Sequence, residues 1–123
     1  MRSWIFRKYV SPLTGKPAPK EAIEESIVIL KKALKLMDFY FLKTDTQPYL
    51  MGTELTIADI SAACELAQIT ATNQAGIIQD FPRVSKWLDR VLDLPGMKEI
   101  HQKILPLLKK SFQKTDEAYE AKL

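Results

Sequence analysis

The run Thr56-Ile57-Ala58-Asp59 writes the opening of a buried helix into this chain. Thr56 is a good N-cap. Asp59, three residues on, can return its carboxylate to the Thr56 backbone N–H while the Thr56 hydroxyl accepts from the Asp59 N–H, which makes a capping box with Asp in place of the commoner Glu. Leu55 and Ile60 stand at the two positions of a hydrophobic staple over the same turn. The residues that follow are small and apolar, among them Ala58, Ser61, Ala62, Ala63, Cys64 and Ala67, so neighbouring backbones can approach closely. The pattern predicts a central, buried helix from Ile57 to about Thr72. Cys64, the lone cysteine, reads as a small buried hydrophobe. Asp59 reads as structural and not as a general base, because a carboxylate at this position is already committed to backbone donors.

Around that helix the chain reads as further helices. Residues from about Ser3 to Val10 suit the last turns of one, ended by Ser11-Pro12 because a residue before proline is pushed out of the helical region. Pro19 suits the first turn of the next, and Glu21, Glu24 and Glu25 favour the positive end of its dipole. Ile23, Ile27, Leu30, Leu34, Met37 and Phe41 then recur at helical steps, with Ile29, Ala33, Leu36 and Tyr40 widening the stripe. Asp45 to Glu54 reads as a loop. Pro82 opens a helix that buries Val84, Trp87, Leu88 and Val91, and Leu94-Pro95-Gly96 breaks it. Met97, Ile100, Ile104, Leu107 and Leu108 continue at helical spacing, with Pro106 kinking that helix or starting a new one. No window alternates with period two, so the expected class is all-α.

These elements carry a resemblance. Gly52, Leu55, Thr56, Ile57, Ala58 and Asp59 together resemble the capping segment of the core helix in the C-terminal helical domain of cytosolic glutathione transferases. Phe81-Pro82-Arg83-Val84-Ser85-Lys86-Trp87 is similar to that family's Pro-x-[Val/Leu]-x-x-Trp helix start. Glu65-Leu66-Ala67-Gln68 is similar to the Glu-Leu-x-x pattern frequent in the theta class. The likeness runs from about Ile5 to about Leu108. It implies a glutathione-transferase C-terminal-type helical bundle as a single domain over residues 1–123, with 1–11 a remnant of the first helix and 109–123 a polar tail.

The resemblance also implies a division of labour. In the family a thioredoxin-like α/β domain binds glutathione and activates its thiol with a hydroxyl donor, a serine in theta-like enzymes, while the helical domain forms the wall against which an electrophile lies. Trp4, Ile5, Tyr9, Val10 and Gln68 are the implied wall residues here. Packing against a neighbouring helix is the competing reading for each. Catalytic residues are expected to be absent, since the strands, the glutathione-gripping loop and the activating serine have no counterpart in this chain. Glutathione would be a co-substrate only if that domain is present, and no cofactor is expected on this chain alone.

Charge and spacing narrow the remaining classes. Of 18 bases, Arg2, Arg7, Lys8, Lys16 and Lys20 fall in the first 20 residues with no acid, leaving 13 bases against 15 acids, a net −2. The basicity is local, which disfavours a nucleic-acid surface and reads as a helix end with a basic outer face. The same composition suits a mitochondrial address, so cytoplasmic residence is expected with a mitochondrial alternative. His101, the only histidine, has no metal-pairing neighbour, and no metal, nucleotide or hydrolase pattern stands out. No apolar run is long enough to span a membrane. Two roles follow. One is a small interaction or structural module in a larger assembly, inactive alone, whose uncovered apolar face around Trp4, Ile5 and Val10 is met by a thioredoxin-like domain, another subunit or a second copy in a homodimer. The other is the electrophile half of a theta-class enzyme.

Overall fold

The computed structural model describes residues 2–44 and 46–121. Met1, Asp45 (the first residue of the expected loop) and the last two residues of the expected tail lie outside the described residues. The elements are α1 (Arg2–Ile5), a π-helical turn (Phe6–Val10), a 3-10 turn (Ser11–Thr14), α2 (Lys20–Leu36), a second π-helical turn (Met37–Phe41), α3 (Ile57–Thr70), α4 (Gly76–Gln79), α5 (Pro82–Leu92) and α6 (Met97–Ala121). Among the described residues there is no strand, only an isolated bridge between Tyr49 and Gly52. The fold is an all-α bundle.

Trp4, Leu30, Leu34, Leu66, Ile69, Val84, Trp87 and Val91 form its centre, each essentially inaccessible to solvent. α3 packs against α1, α5 and α6, so the capped helix touches both ends of the chain. α5 buries the four residues its pattern named, Val84, Trp87, Leu88 and Val91. Its first backbone donors are met from a distance. The helix is preceded by Phe81, whose side chain has no acceptor, and the carboxylate of Asp38 takes that place by accepting from the N–H groups of Arg83 (3.0 Å) and Val84 (3.2 Å).

Several expectations are corrected. Ser11-Pro12 does not end the first helical segment. Pro12 sits in the first turn of the 3-10 helix, where its missing N–H costs nothing, and the chain turns away at Gly15, whose φ of +78° suits glycine. Ile29, Leu36 and Tyr40 do not widen a buried stripe. They stand on the open side of α2 with Val28 and Phe39, Tyr40 being 71% exposed. Phe41 is exposed too, because the wider π turn after Leu36 rotates it off the line through Leu30, Leu34 and Met37.

α6 is one continuous helix through Pro106, which neither restarts nor ends it. Its inward line runs through Met97, Leu105, Leu108, Phe112 and Asp116 and leaves Ile100, Ile104 and Leu107 outside. The segment expected as a polar tail continues α6 from Lys109 to Ala121, with Phe112 and Asp116 buried. No described helix is long and apolar enough to cross a membrane.

Candidate functional site

Two of the buried carboxylates, Asp59 and Asp116, each tie several segments of the bundle together. Asp59 accepts at Oδ1 from the Leu50 N–H (2.8 Å) and the Trp87 indole (2.8 Å), and at Oδ2 from the Thr56 N–H (3.0 Å) and hydroxyl (3.1 Å). The Thr56–Asp59 capping box is formed, and the Asp59 N–H also donates to the Thr56 backbone carbonyl at 3.1 Å. Burial pushes the Asp59 carboxyl up, but these four donors outweigh it and hold it below the usual aspartate value. Leu50 reaches the carboxylate because Tyr49 and Gly52 exchange backbone hydrogen bonds across a tight turn, in which Gly52 adopts a φ of +133°. Asp59 is thereby committed to structure. Leu55 and Ile60 flank this turn, each more than a third exposed.

The second carboxylate was not legible as a site. Asp116 Oδ1 pairs with the Lys8 ammonium at 2.8 Å and accepts from the Tyr9 hydroxyl at 2.6 Å, while Oδ2 accepts from the Asn73 N–H at 3.2 Å. Lys8, read from sequence as part of a basic outer face, is buried. It is satisfied by Asp116, by Asn73 Oδ1 at 3.2 Å and by the rings of Trp4, Tyr9 and Tyr119, each centroid within 5.5 Å. Burial, then the hydrogen bond and charge of Asp116, push the Tyr9 phenol well above its usual range and keep it neutral.

The groove lies between the first helical segment and α3. Ile5, Phe6 and Val10 form one wall and Ser61, Cys64, Glu65 and Gln68 the other, around a volume of about 750 Å3. Of the five wall residues expected from sequence, Ile5, Val10 and Gln68 meet here. Trp4 and Tyr9 turn the other way, into the core and onto the Asp116 network. The uncovered face accordingly lacks Trp4 and gains Phe6.

Cys64 is exposed, not buried as expected, because α3 buries Ala63, Leu66, Ala67 and Ile69 and turns Ser61, Cys64 and Gln68 outward. The steps from Ser61 to Cys64, Glu65 and Gln68 place all four on one helix face, a periodicity that would have found this wall. Chemically the groove offers an apolar surface opposite a thiol, a hydroxyl, an amide and a carboxylate. No grouping of three metal-binding side chains occurs among the described residues. His101 bonds through Nδ1 to the Met97 carbonyl at 2.7 Å, within its own helix.

A family model for "Glutathione S-transferase, C-terminal domain" matches residues 5–103. Among curated relatives, human glutathione S-transferase theta-2 is 32% identical over 128 aligned positions, covering 98% of this chain and 50% of its own length. Chicken glutathione S-transferase theta-1 is 33% identical, covering 83% of this chain and 39% of its own, and Arabidopsis thaliana glutathione S-transferase T1 is 26% identical over 93% and 48%. The chain thus spans about half the length or less of the relatives it matches. No solved structure gives a significant match. The helical bundle, the capped core helix and these matches agree: the chain belongs to the glutathione S-transferase C-terminal domain family, with theta-class enzymes among its relatives.

Proposed function

We propose that this chain is a helical module, not a catalyst by itself, that supplies the electrophile side of a theta-like glutathione transferase. The observation that carries the reading is the groove, where Ile5 and Val10 face Ser61, Cys64 and Gln68 in a chain whose matches include theta transferases of about twice its length. An apolar wall suits the body of a small hydrophobic electrophile. A thioredoxin-like domain, in the same polypeptide or in another, would contribute glutathione and the hydroxyl that stabilises its thiolate. Thiolate attack on that electrophile would then expel its leaving group, with this chain deciding which electrophiles fit. Cytoplasmic residence accords with the reading, with a mitochondrial location as the alternative.

The test is to join the chain to the thioredoxin-like domain of a theta transferase and follow glutathione conjugation of a small alkyl halide. The joined protein should turn over and the chain alone should neither turn over nor bind glutathione in calorimetry. Val10→Arg, which fills the groove, should abolish turnover and leave glutathione affinity unchanged. Saturable glutathione binding by the chain alone, or a Val10→Arg protein with full activity, would overturn the proposal.

A second reading, an interaction or structural module in a larger assembly, draws on the open side of α2, where Val28, Ile29, Leu36, Phe39 and Tyr40 stand exposed together. Under that reading the joined protein stays inactive, and Leu36→Lys disrupts association without touching the groove. A homodimer through this face would appear as a concentration-dependent mass in sedimentation that Leu36→Lys removes.

A further inference from the structure

α6 is apolar on two sides. Its inward line packs into the bundle through Leu105, Leu108 and Phe112, while a second line, Ile100, Ile104 and Leu107, stands in solvent, Leu107 being 70% exposed. The steps of four and three between these residues put them on one outer face of the helix. A surface helix ordinarily turns polar side chains outward, so three large apolar ones in a row make a face that awaits something to cover it.

The charge around that face defines its partner. The sixteen residues from Ile100 to Thr115 contain four lysines, Lys103, Lys109, Lys110 and Lys114, and no Asp or Glu. Lys103 stands three residues from Ile100, and Lys110 and Lys114 stand three and seven from Leu107, spacings that set all three beside the apolar line. These lysines are exposed, and none has a carboxylate within ion-pair distance among the described residues. The next acid along the helix, Asp116, is turned inward onto Lys8 at 2.8 Å. The open side of α2 is different, because Glu21, Glu24 and Glu25 stand exposed in its first turns. What covers the α6 face must therefore be anionic and offer apolar depth beside its charges. The face is also a ridge on one continuous helix, about 21 Å long from Ile100 to Lys114. A folded partner would need a matching trough to receive it. A lipid surface yields instead, letting the apolar side chains sink toward the acyl chains while the lysines reach the headgroups.

We propose that the outer face of α6 is a docking surface for an anionic bilayer, on which the helix lies flat with Ile100, Ile104 and Leu107 toward the acyl chains and Lys103, Lys110 and Lys114 at the headgroups. The full chain is sedimented with vesicles of phosphatidylcholine containing phosphatidylserine and with vesicles of phosphatidylcholine alone. It binds the first about tenfold or more tighter than the second, and the association weakens as salt rises. Replacing Lys103, Lys110 and Lys114 together by Gln lowers the affinity by about a hundredfold, since each lysine near an anionic surface is worth about a factor of five. Ile104→Ser combined with Leu107→Ser keeps every charge and lowers it by about tenfold. Leu36→Ser on α2 leaves it unchanged. The substituted α6 side chains are all exposed, so these variants fold as the parent does. Equal association with phosphatidylcholine, full binding after either α6 replacement, loss through Leu36→Ser, or polyglutamate held as tightly as the phosphatidylserine surface would each overturn the proposal. The groove takes no part in this binding, and its reading is tested separately by turnover.

Discussion

Asp59 and Asp116 do similar work by opposite means. Each is a buried carboxylate that gathers backbone and aromatic donors from several segments. Asp59 does so mainly with near neighbours, Thr56 three residues away and Leu50 nine, and brings in one remote group, the Trp87 indole. Asp116 does so wholly at long range, with Asn73 at 43 positions and Tyr9 at 107. The first is a motif and the second is a closure. Motifs can be read before the fold exists; closures come into being with it.

Replacing each acid separates the two. The largest effect is expected from Asp59→Ala, which leaves the Leu50 N–H, the Trp87 indole and the Thr56 N–H without an acceptor in the core. At one to three kcal/mol for each orphaned donor, less the usual relaxation, urea unfolding should show a loss of about 4 kcal/mol. A loss near 1 kcal/mol would reduce Asp59 to an ordinary cap. Asp116→Ala strands the Lys8 ammonium and should cost about 3 kcal/mol, the low end for a broken buried pair because Asn73 and three rings still face the charge. Lys8→Met combined with Asp116→Leu should recover more than half of that loss. If the double variant is as weak as the single, the pair is essential to packing and not merely to charge balance.

The acid limb offers a smaller and more specific contrast. The Asp59 carboxyl lies lower in the folded chain than in the unfolded one, so its stabilisation is complete above the unfolded value near 3.9 and is lost as pH falls through the folded value. Asp59→Asn should therefore lose less stability than the parent as pH falls below about 4, and parallel curves would sink that account. The smallest effect is Thr56→Ala, about 1 kcal/mol, since the Thr56 backbone N–H keeps its bond to Asp59 and only the hydroxyl goes. A loss as large as that of Asp59→Ala would move the weight of the motif onto Thr56.

What could be read in advance follows the same division. The start of α3, the Pro82 start of α5 and its four buried residues were legible because a capping pair, a proline and a helical period are local signals. Composition misled at Cys64: the small apolar run suggested burial all round, whereas the bundle covers one face of α3 and leaves the thiol outside. The wall residues split for a related reason. Ile5 and Val10 stay on the groove, while the π turn between them carries Tyr9 round to Asp116, and nothing local in Phe6–Val10 announces that turn. Asp38 was hidden in the same way, as a polar residue at the end of an apolar helix whose task, capping α5, lies 45 positions ahead.

The bond from Tyr9 to Asp116 also sets a schedule. A ribosome adding about 5–20 residues per second needs roughly 5–20 s to travel from one partner to the other. Through that interval the Lys8 ammonium is already made and its counter-charge is not, so the first helical segment must wait in water or borrow other company. The bundle closes on itself only once α6 has been made, and a chain stalled within α6 would present an unlocked first helical segment to whatever stands nearby.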